Sequence, residues 1–127
     1  LPYNRGSSPN FFSFLENTPK GVTIHLMSAG LDEGDILCQR ELHFDEEKET
    51  FASTYEALLQ EIEKLFRENW QQIREGSIIP VKQAGPVTYH RMKDLDAIRG
   101  KVDFDWNMKI GDFKRAYEKA MRKDENS

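Results

Sequence analysis

The stretch "GVTIHLMSAGLDEGDILCQ", residues 21–39, decides how the chain folds. Val22, Ile24 and Leu26 alternate with Thr23, His25 and Met27, and this period of two in a run rich in β-branched residues is typical of a strand. A second apolar run, residues 36–42, follows the turn composition "SAGLDEGD". Because the connection between the runs is short, we predict that they pair as an antiparallel hairpin.

The predicted turn carries the acids Asp32, Glu33 and Asp35, and His25 lies in the strand that leads into it. Acids in turns are usually solvated residues that suit the backbone, and a histidine in a strand is usually packed and hydrogen-bonded. The alternative is a cleft in which Asp32 orients the imidazole of His25 and helps to move a proton. The spacing alone leaves both interpretations open. No ligand spacing typical of a metal site is present, and we expect no metal.

Composition narrows the class of protein. The chain has 127 residues, the size of one domain, with 38% hydrophobic and 31% charged residues and a net charge of −4. This charge argues against a nucleic-acid groove made from this segment. The single cysteine, Cys38, fits a reducing compartment, and we expect a cytoplasmic protein. No apolar run reaches transmembrane length, so no membrane partner is expected.

The strongest periodic signal is a long amphipathic helix. Apolar residues recur at spacings of three and four from residue 51 to residue 73 and predict a core-facing stripe. A capping-box pattern at Ser53 and Glu56 indicates its start, and Gly76 indicates its end. Shorter elements are predicted as a helix that begins at Pro9, an edge strand at residues 87–89 and a second amphipathic helix at residues 106–123.

Two strands cannot cover a stripe of this length. We therefore expect either that the C-terminal tail folds back over it or that a partner chain covers it.

Three motifs carry a resemblance to a known family. In this order, "LPYNRGSSPN", "GVTIH" and "GLDEGDIL" resemble the second half of the folate-dependent formyltransferase domain. That family includes the methionyl-tRNA, glycinamide ribonucleotide and sugar-nucleotide formyltransferases. The resemblance implies an α/β fold in which residues 1–76, a β-hairpin and a long helix, form the C-terminal half of a Rossmann-like domain. Residues 77–127 are then a C-terminal α/β extension with a terminal helix.

The resemblance also implies a reaction and a set of site residues. The family transfers a formyl group from 10-formyltetrahydrofolate, its cosubstrate, to an amine by means of an Asn, a His and an Asp. Asp32 matches that Asp, and His25 matches a histidine of the purine-pathway branch, which gives both a catalytic role. The implied binding residues are Leu31, Asp32, Glu33 and Gly34 on the folate side and Arg5 and Gly6 on the acceptor side.

One departure from the family pattern limits these expectations. The family's Asn and His lie in an Asn-x-His pattern shortly before the "LP", and this chain begins at the "LP". We therefore expect a fragment that is inactive alone and that either self-associates or joins an upstream half of the domain.

The acceptor and the class of function have alternatives. The "LPYN" and the phenylalanine-rich helix resemble the sugar enzymes more closely, so the favoured acceptor is the amine of a nucleotide sugar, with methionyl-tRNA second. The competing interpretations are a non-catalytic interaction or dimerisation module and a 10-formyltetrahydrofolate hydrolase.

Overall fold

The structure is a computed structural model, and it describes residues 1, 3, 5–6, 8–30, 32–85 and 87–125. Its elements in chain order are β1 (Arg5–Gly6), α1 (Pro9–Leu15), β2 (Lys20–His25), β3 (Ile36–Leu42), α2 (Phe51–Glu75), β4 (Tyr89–His90), α3 (Met92–Arg99) and α4 (Ile110–Glu125).

The predicted hairpin is confirmed. Strands β2 and β3 pair antiparallel, from Lys20 opposite Leu42 to His25 opposite Ile36, with an irregularity in the register at His25. The connection, residues 26–35, is longer than a tight hairpin turn and folds as a loop. The backbone N–H of Leu26 donates to the carbonyl oxygen of Asp35 (2.9 Å) and closes the base of this loop.

A second, smaller sheet joins the beginning of the chain to the segment after α2. Strand β1 pairs in parallel with β4, with Arg5 opposite Tyr89. The edge strand predicted at residues 87–89 therefore lies at residues 89–90. Val81 also forms an antiparallel bridge with Ile36 at the start of β3. The segment between α2 and α3 thus contacts both sheets and runs beside the loop at residues 26–35.

Helix α2 has nearly the predicted length, but the predicted cap was wrong. The N-cap is Thr50, whose hydroxyl accepts a hydrogen bond from the backbone N–H of Ser53 (2.9 Å). The hydroxyl of Ser53 accepts one from the backbone N–H of Thr50 in return (2.9 Å). Ser53 therefore acts at the third helical position, not as the cap. Gly76 ends the helix with a φ of 70°, a conformation that glycine adopts without strain.

The core is an aromatic cluster formed from both ends of the chain. Phe11 of α1 packs on Phe113 of α4 with ring centroids 5.3 Å apart, and Phe51 of α2 lies 5.4 Å from Phe113. The tail therefore folds back over the beginning of α2, which is the first of the two alternatives stated for the stripe. Helix α4 begins at Ile110, later than predicted, and the short helix α3 was not predicted.

The rest of the apolar stripe on α2 is largely uncovered within the described residues. Phe51 and Leu65 are buried. The exposed members are Tyr55 (55% exposed), Leu59 (50%), Phe66 (44%) and Trp70 (47%). The prediction of a core-facing stripe is therefore wrong for this part of the helix. Although α2 is long, neither it nor any other helix of the described residues is apolar enough to cross a membrane.

Candidate functional site

The structure brings His25 and Asp32 together at the end of the hairpin. Nε2 of His25 lies 3.8 Å from Oδ1 of Asp32. The other ring nitrogen, Nδ1, is 2.8 Å from the carbonyl oxygen of Leu26. Because a carbonyl oxygen only accepts, Nδ1 must carry the proton, and Nε2 is the nitrogen that faces the carboxylate. The separation of 3.8 Å is too long for a direct hydrogen bond, so the contact is electrostatic when the imidazole is protonated.

The backbone of the loop presents Asp32 in an unusual conformation. Asp32 has a φ of 56°, in the left-handed region that residues other than glycine rarely adopt. Aspartate tolerates this region better than most residues do, because its short side chain can bond locally. A conformation of this kind persists only where the surrounding structure holds it, and such residues cluster at functional sites.

Gln83, which the sequence did not single out, holds the loop from outside. Its Nε2 donates to the carbonyl oxygens of Asp32 and Gly34, at 2.8 Å each. Its Oε1 accepts from Nη2 of Arg5 at 2.6 Å. One side chain therefore bridges the loop that carries the acid and the strand that carries Arg5.

The two residues predicted on the acceptor side lie in β1. The backbone N–H of Arg5 donates to the carbonyl oxygen of Thr88 (2.8 Å), and Gly6 pairs with His90. The Nε atom of Arg5 is buried without a hydrogen-bond partner among the described residues. Among the described residues, Arg5 is joined through Gln83 to the loop that carries Asp32, so its guanidinium is a link in that network.

The residues predicted on the folate side differ in their surroundings. Gly34 is buried, and Glu33 is exposed with its carboxylate close to Gly30. Leu31 lies outside the described residues. Within the loop, Gly34 is therefore enclosed by its neighbours and Glu33 is exposed, while the side chain of Asp32 lies beside His25.

An open groove of ≈ 1220 Å³ runs beside the acid. His25 and Asp32 line it at one end, and α2 forms a wall with Tyr55 and Leu59. The groove is large enough for an extended ligand, and its lining is apolar with a few polar groups, as is usual for ligand sites.

Ion pairs tie the hairpin to α2. Arg40 of β3 donates to Glu61 at 2.5 Å and to Glu68 at 2.8 Å. The hydrogen bond from Arg40 lowers the pKa of Glu68, and the bonds to both carboxylates raise the pKa of Arg40. Burial raises the pKa of the Cys38 thiol nearby. Among the residues that the structure describes, no group of His, Cys, Asp and Glu side chains could hold a metal ion.

Comparison with known proteins identifies the family. The chain is 33% identical over 112 residues to dTDP-4-amino-4,6-dideoxyglucose formyltransferase of Mycobacterium bovis, a match that covers 88% of this chain and 47% of that protein. It superposes with a TM-score of 0.83 and 43% identity on the formyltransferase PseJ from Anoxybacillus kamchatkensis, covering 91% of this chain and 61% of that one. The chain belongs to the formyltransferase family.

The formyltransferase relatives include more than one acceptor class. Methionyl-tRNA formyltransferase of Clostridium botulinum is 34% identical over 97 residues, which cover 76% of this chain and 31% of that enzyme. The chain spans about half the length, or less, of these curated relatives. No family model matches it. The structure of PseJ holds UDP-4,6-dideoxy-4-formamido-L-AltNAc and tetrahydrofolate, so that enzyme was solved with both a formylated sugar nucleotide and a folate.

Proposed function

We propose that this chain supplies the aspartate side of a formyl-transfer site. The protein it comes from would transfer the formyl group of 10-formyltetrahydrofolate to the amine of a nucleotide-linked sugar. The observation that carries the proposal is the His25–Asp32 pair, 3.8 Å apart beside an open groove and set on a loop that Gln83 holds by two hydrogen bonds. The identity to sugar formyltransferases supports it.

Asp32 is the group suited to proton transfer in this reaction. A C–N bond forms between the acceptor amine and the formyl carbon, and the bond from that carbon to N10 of the folate breaks. The amine loses a proton, and N10 gains one. A carboxylate beside the amine can accept the first proton directly or through water, and a protonated imidazole facing the carboxylate can keep it ionised for that role. His25 is placed for that supporting role.

The negative charge that develops on the formyl oxygen needs donors from elsewhere. In acyl transfer, electrostatic stabilisation of such an oxyanion usually lowers the barrier more than any other single effect. The 127 residues contain no Asn-x-His sequence. We therefore propose that the oxyanion donors come from outside this sequence and that the chain is inactive by itself.

The folate would lie along the loop at residues 32–34. Gly34 lets the loop close against Leu26 without a side chain and so fixes the backbone beside Asp32, which lines the groove. The apolar wall of α2 borders the same groove. We also propose that Arg5 and Gly6 lie on the acceptor side of the site. Arg5 would act there together with Gln83, to which it donates a hydrogen bond.

A sugar nucleotide is favoured over tRNA for two reasons. The identity to PseJ is 43%, compared with 34% for the methionyl-tRNA enzyme of Clostridium botulinum. The net charge of −4 also opposes binding to a polyanion, because affinity for nucleic acid depends on neutralising phosphates. Methionyl-tRNA is the second candidate because tRNA enzymes are among the relatives.

The exposed part of α2 supports a further element of the proposal. Two large aromatic side chains that do not line the groove, Phe66 and Trp70, lie exposed on this helix. Exposed patches of this kind mark sites of contact with other protein surface. We propose that more of the same protein or a second copy covers them.

The decisive experiment is Asp32→Asn in the natural full-length protein. We expect turnover to fall by about 10²- to 10⁴-fold, the range for loss of a general acid–base group, while folate binding is retained. Asp35→Asn makes the same chemical change three residues away and should stay near the parental rate. Turnover near the parental rate in Asp32→Asn would refute the role of this carboxylate.

The choice of acceptor needs a separate assay. Formylated product is measured with a nucleotide-linked amino sugar and with methionyl-tRNA, and formate release is measured with no amine present. Product from the sugar alone supports the proposal. Formate release at the same rate without an amine would instead show a hydrolase.

A further inference from the structure

Gln83 lies in the segment after α2, and its side chain holds the loop at residues 26–35 that carries Asp32. Its amide makes three hydrogen bonds, to the carbonyl oxygens of Asp32 and Gly34 and to Nη2 of Arg5. The neighbours fix the orientation of this amide. The guanidinium can only donate and the two carbonyl oxygens can only accept, so Oε1 must face Arg5 and Nε2 must face the loop.

The hydrogen bonds of Gln83 fall on the part of the loop that has the unfavourable backbone conformation. Asp32 has left-handed backbone geometry, which is unfavourable for a residue with a Cβ and must be held by its surroundings. Gln83 bonds the carbonyl group of Asp32 itself and the carbonyl group two residues later. These two hydrogen bonds restrict the orientation of the peptide groups around Asp32, and those groups set the direction of its side chain.

The segment that carries Gln83 is itself anchored. Two residues earlier, Val81 exchanges backbone hydrogen bonds with Ile36, at 2.7 and 2.8 Å. Arg5 is held on the other side by its backbone bond to Thr88. Gln83 therefore connects strand β1 and a segment anchored on β3 to the loop at residues 26–35, and it is partly buried.

We propose that Gln83 is a positioning residue for formyl transfer. Gln83 holds the carboxylate of Asp32 in the orientation that the reaction needs. Through its hydrogen bond with Arg5, it also links that orientation to the position of Arg5. This inference rests on the proposed function and deepens it, because it assigns a role in the site to the segment after residue 76.

The experiment compares Gln83→Glu with Gln83→Met in the natural full-length protein. Glutamate keeps the size and the contact with Arg5, but its ionised carboxylate cannot donate to the two loop carbonyls. Methionine keeps the length and removes every hydrogen bond. Gln60→Glu, at an exposed position of α2, is the matched control for the change in charge.

We expect kcat to fall by about ten- to a hundredfold in both Gln83 variants, because small displacements of a catalytic group cost rates of this order. KM for folate and for the amine should stay within about threefold of the parent, since ground-state binding is not the target of the change. Hydrogen exchange of the backbone at residues 26–36 should become faster, while the melting temperature stays close to that of Gln60→Glu. A loss in kcat without a loss in binding or melting temperature is not expected from a merely structural residue.

Several results would overturn the inference. Kinetics within twofold of Gln60→Glu would do so, as would an effect confined to KM. If Gln83→Glu does not fold, Gln83→Met carries the test, and failure of both to fold would assign Gln83 a structural role only. The two proposals fail separately: an inactive Asp32→Asn beside normal Gln83 variants overturns this inference alone. Parental activity in Asp32→Asn overturns the proposed function and this inference with it.

Discussion

Gly34 lies directly against the carbonyl group of Leu26, so closely that a Cβ atom on Gly34 would be 1.5 Å from that oxygen and 2.6 Å from its carbon. Real Cβ atoms do not approach backbone atoms at these distances. The loop at residues 26–35 can therefore close in its observed form only with a glycine at this position. The same glycine accepts the hydrogen bond from Gln83 and lies two residues from Asp32.

We expect Gly34→Ala to disturb both stability and activity. The new methyl group collides with backbone, which cannot rotate away, so the loop must shift and carry Asp32 with it. A loss of about 1–3 kcal/mol in the free energy of unfolding is expected from strain of this kind. A fall of about a hundredfold in kcat is expected from a displacement near 1 Å. Thermal melting and steady-state kinetics of the natural full-length protein measure the two effects.

Gly30→Ala is the matched control for this change. A Cβ on Gly30 would meet the carboxylate of Glu33, an exposed and flexible side chain that can move aside. Its melting temperature should therefore stay near that of the parent. Equal melting temperatures for Gly34→Ala and Gly30→Ala would contradict the close approach that the loop shows.

Two substitutions of His25 test the roles of its two ring nitrogens separately. Asparagine can donate from a position near Nδ1 and so keep the bond to the Leu26 carbonyl, whereas glutamine places an amide near Nε2, which faces Asp32. If the contact with Asp32 supports the reaction, His25→Gln should retain about tenfold more turnover than His25→Asn. The measurement is kcat of both variants at one pH. Turnover in His25→Asn equal to or above that in His25→Gln would show that the ring acts only through the loop carbonyl.

The sequence predicted those parts of the fold that have a period. The alternation at residues 22–27 predicted β2, and the stripe at residues 51–73 predicted α2. The two-residue strand β1 has no period to detect, and its pairing with β4 joins distant parts of the chain. The helix cap was misplaced because Ser53 is typical of both a cap and the third helical position.

The candidate site was predictable only in part, because some of its contacts also join distant parts of the chain. The resemblance pointed to Asp32 and His25, and the structure places them side by side. Their catalytic roles stay a prediction. Gln83 was missed because its partners lie 49 to 78 residues away in sequence. The one available signal was a lone glutamine, able to donate and accept at once, in the short segment between Pro80 and Pro86.

The 127-residue chain by itself is expected to show no formyl transfer. Its sequence has the acid and the neighbouring imidazole but no Asn-x-His to stabilise the oxyanion. The assay is product formation with 10-formyltetrahydrofolate and a nucleotide-linked amino sugar, with the natural full-length protein as the positive control. If the 127-residue chain does form product, and Asp32→Asn made in that chain abolishes the activity, then the chain completes a site unaided.

The exposed stripe of α2 should make the 127-residue chain associate. Phe66 and Trp70 form an aromatic pair with ring centroids 5.2 Å apart, and both are nearly half exposed. Covering such a surface removes apolar area from water and favours contact between chains. Analytical ultracentrifugation should show concentration-dependent association that Trp70→Glu weakens and Gln60→Glu does not. A monomer that unfolds cooperatively at all concentrations would contradict this expectation.

The ion pair between Arg40 and Glu68 should give stability a defined dependence on pH. The hydrogen bond from Arg40 lowers the pKa of Glu68 in the folded protein below its ordinary value of 4.5. A lowered pKa in the folded state stabilises the protein above the ordinary pKa, and this contribution is lost as the pH falls through the folded value. Both side chains are more than a third exposed, so the effect is small and is reduced by salt.

Glu68→Gln removes this contribution and tests its sign. In the natural full-length protein at low salt, the melting temperature of the parent should exceed that of Glu68→Gln between about pH 7 and pH 5, and the gap should close as the pH falls below the ordinary pKa. Glu56→Gln, an exposed carboxylate on the same helix, is the control for the loss of one negative charge. A gap that stays constant or widens in acid would show that Arg40 does not hold Glu68 ionised, and that this ion pair does not help to fix the hairpin to α2.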